Sequence, residues 1–75
     1  MKAKKFEKLL GQYIDIANSL LEFTDLYWDD MSYDIDGFRQ MSYEGDYDDL
    51  PALENQVKAF EMVLDSHRMI RYTFC

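Results

Sequence analysis

The chain has 75 residues, and 15 acidic residues against 8 lysines and arginines give it a formal net charge of −7 at pH 7. At this length we expect a single domain, and a hydrophobic content of 48 % excludes a disordered acidic tail. The acidic balance disfavours direct binding to nucleic acid or to an anionic membrane surface, since both repel negative charge.

The first half of the chain has the apolar periodicity of a long amphipathic helix. Apolar side chains recur at alternating spacings of three and four residues: Phe6, Leu9, Tyr13, Ile16, Leu20, Phe23 and Tyr27. This pattern predicts one helix from about residue 3 to about residue 28. Its heptad-like stripe is also a candidate surface for a homodimer.

The middle of the chain, residues 29–49, carries all of the net charge. It holds eight acids and one arginine, whereas the rest of the chain has seven acids and seven bases. The acids of this segment are Asp29, Asp30, Asp34, Asp36, Glu44, Asp46, Asp48 and Asp49. The segment also repeats the pattern Met-Ser-Tyr-acid, at residues 31–34 and 41–44.

Within this segment, Asp36-Gly37 indicates a small β-hairpin. Both central residues of a type I′ turn need a positive φ, and Asp-Gly is among the pairs that adopt it most readily. A two-residue turn there places Ile35 opposite Phe38 as an apolar cross-strand pair. The alternative is that the first helix continues through Met31 and stops at Gly37.

A second helix is predicted from about residue 50 to about residue 71. Asp49 can cap its start, and Pro51 fits the first turn, where its missing N–H has no helical partner. The predicted buried stripe is Leu53, Val57, Phe60, Val63 or Leu64, His67 and Ile70. The expected fold is therefore mainly α, with two long antiparallel helices joined by the acidic segment.

The antiparallel arrangement predicts how charge is distributed along the molecule. It places the basic N-terminal residues beside the basic end of the second helix: Lys2, Lys4, Lys5, Lys8, His67, Arg68 and Arg71. The acidic segment then caps the opposite end. We expect a rod with one basic tip and one acidic tip.

No motif in the sequence indicates catalysis or metal binding. With Gly37 at the sixth position of an EF-hand loop, Tyr43 stands at the twelfth, where a bidentate acid is required. His67, the only histidine, lies on the apolar stripe and is interpreted as a half-buried structural side chain. We therefore predict no enzyme activity, no metal site and no cofactor.

The cysteine content and the N-terminal residues predict a cytoplasmic protein. Cys75 is the only cysteine, so an internal disulfide and a cysteine-based metal site are not expected. The stretch MKAKKFEKLL is basic but lacks the unbroken apolar run of a signal peptide. No segment has the roughly 20 apolar residues of a membrane span, so we expect no membrane partner.

Aromatic residues among the acids point to protein recognition. Tyrosine and tryptophan often anchor interfaces, and a field of one sign speeds association with a partner of opposite charge. The candidate partner-binding residues are Trp28, Asp29, Asp30, Tyr33, Asp34, Asp36, Tyr43, Glu44, Asp46, Tyr47, Asp48 and Asp49. In an extended strand, alternate acids stand about 6.6 Å apart on one face, close to the spacing of backbone phosphates. The expected partner is a basic, nucleic-acid-binding protein or nuclease complex.

In size, acidity and aromatic content, residues 27–49 make the chain resemble the small acidic inhibitors that phages and plasmids encode against host defence. These are the anti-CRISPR and anti-restriction proteins, several of which mimic DNA. The resemblance implies an inhibitor that blocks a basic site on a host defence protein. Antitoxins and immunity proteins against nuclease toxins share this composition. A non-enzymatic dimeric adaptor or assembly protein, paired through the first helix, is the further alternative.

Overall fold

A computed structural model describes residues 2–74 of the protein, and the side chains of residues 2–69. It contains three helices, α1 (Lys2–Leu21), α2 (Trp28–Glu44) and α3 (Leu50–Phe74), and no β-strand over residues 2–74. The prediction of a mainly α fold is confirmed. The predictions of two helices and of a hairpin between them are wrong.

Helix α1 buries most of the predicted stripe but ends at Leu21, seven residues earlier than predicted. Its buried residues are Phe6, Leu10, Tyr13, Ile16, Ala17 and Leu20. Past Leu21, the Thr24 hydroxyl accepts a hydrogen bond from the Leu26 N–H at 3.2 Å. Threonine side chains compete in this way with helical hydrogen bonds, which favours a turn over a continued helix.

Helix α2 occupies the segment in which the hairpin was predicted. Met31, Ile35 and Phe38 are buried at spacings of four and three residues, which is the period of a helix. Gly37 lies inside this helix, and its φ is not positive. The helical period of three large apolar side chains therefore outweighs the local turn preference of Asp36-Gly37.

Gly45 ends α2 with a left-handed backbone conformation, φ 73°. The Gly45 N–H donates to the carbonyl of Ser42 at 3.2 Å, and the Asp46 N–H donates to the carbonyl of Met41 at 2.9 Å. Glycine is favoured at such a position because a side chain would be strained there. Among the described residues, Gly45 is the only glycine with a positive φ.

Helix α3 begins at Leu50, as predicted, with Pro51 in its first turn. Leu53, Val57 and Leu64 of the predicted stripe are buried. Phe60, Val63 and His67 are half-buried. The side chain of Ile70 lies outside the described residues, and the backbone helix runs to Phe74 rather than ending near residue 71.

Contacts along α1 show that α1 and α3 run in the same direction. Near the start of α1, the Nζ of Lys5 lies 3.0 Å from the Oε1 of Glu54. Past its end, the ring of Phe23 lies 6.0 Å from that of His67. The predicted antiparallel pairing is wrong because α2, which was not predicted as a separate helix, reverses the chain once more.

The parallel pairing of α1 and α3 also overturns the predicted rod with a basic tip. Lys5 lies beside Glu54, near the start of α3, rather than beside Arg68 near its other end. Arg68 instead lies near Asp65, with 3.9 Å between the Nη1 and Oδ1 atoms. The side chain of Arg71 is not among those described. Lys5 of α1 therefore stands near an acid of α3.

Helix α1 is the central element of the fold, since α2 and α3 each pack against it and barely touch one another. The resulting body is elongated and flat, 45 × 22 × 14 Å. Because α2 and α3 cover the α1 stripe within the same chain, that stripe is not available to a second chain. The outer faces of α2 and α3 remain exposed.

The two glycines of this region give a direct test of α2. A Cβ added at Gly37 meets nothing within 4 Å, so Gly37→Ala should raise the free energy of unfolding by about 1 kcal/mol. Gly45→Ala should lower it by about 1 kcal/mol, because alanine is strained at positive φ. Urea unfolding followed by circular dichroism measures both changes. Destabilisation by Gly37→Ala would indicate the turn that the sequence suggested.

Candidate acidic recognition face

The solvent-facing side of α2 collects six of the twelve predicted partner-binding residues. Seven exposed residues, here called the acidic face, lie on this side: Asp29, Asp30, Tyr33, Asp36, Gln40, Tyr43 and Glu44. They lie opposite Met31, Ile35 and Phe38, which face the core. The spacing of the buried residues therefore decides which acids face solvent.

The two tyrosines of the acidic face are the most exposed large hydrophobic side chains of the described residues. Tyr33 is 81 % exposed and Tyr43 is 82 % exposed. At a rise of 1.5 Å per residue they stand about 15 Å apart along the helix axis, and the face is about 22 Å long. No intramolecular packing explains these rings.

The helix changes the geometry that was expected for the acids. Two residues apart, Asp34 and Asp36 would share one face of a strand, but on a helix they point in nearly opposite directions. Asp36 is exposed, whereas Asp34 is half-buried at the edge facing α1. The predicted row of acids at phosphate spacing is therefore wrong for this pair.

Asp34 has a structural partner that the sequence did not reveal. The Tyr13 hydroxyl donates a hydrogen bond to the Oδ2 of Asp34 at 2.9 Å. Tyr13 is fully buried, and its pKa is raised well above its ordinary value by burial, then by this hydrogen bond and the charges of Asp34 and Asp30. Asp34 thus lies beside the acidic face, and its carboxylate accepts the hydrogen bond of a hydroxyl that is buried in the core.

Trp28 and Tyr47, also predicted to bind the partner, lie at the two ends of α2. Trp28 is the first residue of the helix and is 36 % exposed. Tyr47 is half-buried after the helix, and its ring lies 5.3 Å from that of Phe6. Tyr47 is consequently part of the packing between α1 and the connection to α3.

The three remaining acids form an exposed turn beyond Glu44. In this acidic turn, the carboxylate of Asp46 accepts a hydrogen bond from the N–H of Asp48 at 3.2 Å. Asp48 and Asp49 are exposed just before α3. The turn lies near the start of α1, where Lys5 pairs with Glu54. The field of this turn is therefore partly offset by Lys5.

A shallow groove of about 540 Å³ lies beside Gly37 on α2. It is lined by Tyr33, Asp34, Asp36, Gly37, Phe38 and Met41. Tyr33, Gly37 and Met41 are successive positions at a spacing of four, so they lie in one row along the helix. Glycine has no side chain, so Gly37 leaves a gap in this row between the ring of Tyr33 and the thioether of Met41.

The sole histidine has the structural environment predicted for it. His67 is half-buried, and its Nδ1 lies 2.9 Å from the carbonyl oxygen of Val63. Its ring lies 6.0 Å from Phe23 and 6.1 Å from Tyr27. Within the described residues, no group of three or more His, Cys, Asp and Glu side chains could hold a metal ion. Nor does any helix in this part of the chain have the length and apolar character to cross a membrane.

Comparisons with known proteins provide no relative for this chain. No protein-family model matches the sequence, and neither the curated proteins nor the solved structures include a significant match. The residues of the acidic face are therefore the starting point for a functional proposal.

The buried hydrogen bond of Tyr13 makes the stability of the protein decrease at alkaline pH. Folding raises the pKa of Tyr13 above 10, the ordinary tyrosine value. The neutral hydroxyl therefore contributes its full stabilisation of the folded state below pH 10, and this stabilisation is lost as the pH rises beyond that value. Tyr13→Phe should destabilise the protein by about 1 kcal/mol at pH 7. The variant should also lose less stability than the wild type between about pH 9 and pH 11. Urea unfolding at several pH values measures both effects, and parallel pH profiles would contradict them.

Proposed function

We propose that this protein is a small acidic inhibitor that binds the basic, nucleic-acid-binding site of another protein. The observation that carries the proposal is the pair of tyrosines on the acidic face, each more than four-fifths exposed among four carboxylates. Exposed tyrosines on a helix are pre-organised for contact, because a tyrosine has few rotatable bonds to order on binding. The carboxylates supply a field that attracts a basic surface.

The shape of the acidic face favours a groove as its target. A helix about 22 Å long with one exposed polar face can lie in a channel much as recognition helices lie in grooves of their partners. Channels that bind nucleic acid are basic and elongated. Bound there, α2 would exclude the natural ligand by occupying its path.

The charge of the acidic face favours occlusion over charge-for-charge imitation of DNA. Duplex DNA carries one charge per 1.7 Å, or about 13 charges over 22 Å, whereas the face holds four carboxylates. The tyrosines and the acidic turn at residues 46–49 must therefore contribute to affinity. We propose mimicry only in the sense that α2 takes the place of a nucleic acid.

The groove beside Gly37 is suited to one arginine or lysine of the partner. A long aliphatic stem can cover Phe38 and Met41, while its charged end pairs with Asp36. The neighbouring Tyr33 ring adds a surface on which a guanidinium can stack. This contact would position α2 on the basic site.

The partner class that we propose is a host defence protein that handles nucleic acid, as in anti-CRISPR or anti-restriction inhibition. A nuclease toxin is the second candidate, with this chain as its antitoxin or immunity protein. Both partners present a basic cleft of the kind the acidic face fits. Identification of the isolated partner distinguishes an inhibitor of a defence protein from an antitoxin or immunity protein.

The test uses two variants that remove equal charge from different faces. Asp29→Asn/Asp36→Asn removes two of the four carboxylates of the acidic face, and Asp15→Asn/Glu61→Gln removes the same charge from exposed positions on α1 and α3. The partner is first isolated by pull-down, as the protein that wild type retains from a host extract treated with nuclease. We expect the first variant to bind this purified partner at least about tenfold more weakly and the second to bind within about twofold of wild type.

A competition measurement completes the test. Wild type should displace a labelled oligonucleotide from the same partner, and Tyr33→Ser/Tyr43→Ser should displace it at least about tenfold less effectively. Simultaneous binding of the oligonucleotide and this protein would rule out inhibition at the nucleic-acid site. Equal loss of affinity in both charge variants would show that only net charge matters.

A further inference from the structure

The outer face of α3 contrasts with the acidic face of α2. Six exposed residues at spacings of three, four, three, four and three form what we call the neutral seam: Ala52, Asn55, Ala59, Met62, Ser66 and Met69. None of them is ionisable. Met62 is 71 % exposed and Met69 is 68 % exposed.

A neutral outer face is unusual in a chain with this much charge. Charged residues make up 31 % of the sequence, and the solvent side of an amphipathic helix normally carries them. On α3 they lie instead to one side of the seam, at Lys58, Glu61 and Asp65. The spacing of the seam is that of the two core positions of a coiled coil. Both features are typical of a helix face that is covered in the assembled protein.

We propose that the neutral seam pairs with the seam of a second copy of this chain, in an antiparallel two-fold dimer. With the two-fold axis midway between Ala59 and Met62, each Met62 faces Ala59 of the second copy. In the next layers outward, Ser66 faces Asn55, and Met69 faces Ala52. Every large side chain thus meets a small one, and the two polar residues meet each other.

The charges beside the seam favour the same orientation. In an antiparallel pair related by this axis, Lys58 of one copy lies on the same side as Asp65 of the other. Two such ion pairs would flank the axis. Asp65 is 69 % exposed and its contact with Arg68 is long, at 3.9 Å, so it remains accessible to Lys58.

A parallel pair of seams fits less well. It would stack Met62 on Met62 and Asn55 on Asn55, and it would place Lys58 beside Val63 instead of an acid. The antiparallel pair also sets the helix dipoles of the two copies in opposite directions, which is favourable. The seam spans about 26 Å of helix from residue 52 to residue 69, enough for six layers.

The dimer leaves the acidic face unused, because the seam and the acidic face share no residue. One assembly would then present two acidic faces, whatever partner they bind. A second copy also adds buried surface to a domain whose small size limits its own core. The dimer stands independently of the proposed inhibition.

The mass of the full-length protein at increasing concentration tests the dimer. Sedimentation equilibrium should show a mass that rises from 9.0 kDa towards twice that value. Ala59→Glu places two carboxylates close to the axis and should raise the dissociation constant at least about tenfold. Asn18→Glu, which adds the same charge to an exposed position of α1, should change it by less than about twofold. A single-chain mass at millimolar concentration, or equal effects of the two variants, would overturn the proposal.

Cross-linking then tests the orientation. In a Cys75→Ser background, Ala59→Cys and Met62→Cys chains are oxidised separately and as a mixture. The antiparallel register predicts that the mixture forms mainly disulfides between the two different variants. Faster cross-linking within each variant alone would indicate the parallel pair and would overturn the proposed arrangement. Circular dichroism of each variant verifies that the helices are retained.

Discussion

Tyr13 is the residue on which the arrangement of the three helices depends. Its ring lies 6.3 Å from Phe38 of α2 and 5.7 Å from Phe60 of α3, and its hydroxyl donates to Asp34. Since α2 and α3 barely touch each other, both are positioned through α1. One side chain thus supplies apolar contact to both neighbours and a hydrogen bond to one of them.

The packing around Tyr13 also determines which charges the protein displays. Directing Asp34 towards α1 places Asp29, Asp36 and Glu44 on the solvent side of α2. The reversal of the chain by α2 brings the start of α3 beside Lys5 of α1, so charge is partly compensated there. Negative charge is consequently concentrated along α2, which has five acids against Arg39, and this is the element for which we propose binding to a basic site.

Much of the candidate site could be predicted from composition, but its geometry could not. The acids and tyrosines of residues 29–49 are largely exposed, as expected for a recognition segment. Their presentation on a helix was missed because Asp36-Gly37 has a strong local turn preference. Glycine within a helix costs about 1 kcal/mol, whereas burial of Met31, Ile35 and Phe38 contributes about 1.5–3 kcal/mol for each side chain. That burial depends on α1 as a partner, which no local pattern contains.

The sequence by itself determined the helical nature of α1 and α3, their buried stripes, and the start of α3 at Leu50 before Pro51. These features follow from a period of 3.6 residues and from backbone chemistry, both of which act over a few neighbours. Only the tertiary structure decided that α2 is a helix, that α1 and α3 run parallel, and that Asp34 accepts a hydrogen bond from Tyr13. Each of these depends on contacts between residues about twenty or more positions apart, whose free energy exists only once the helices have packed.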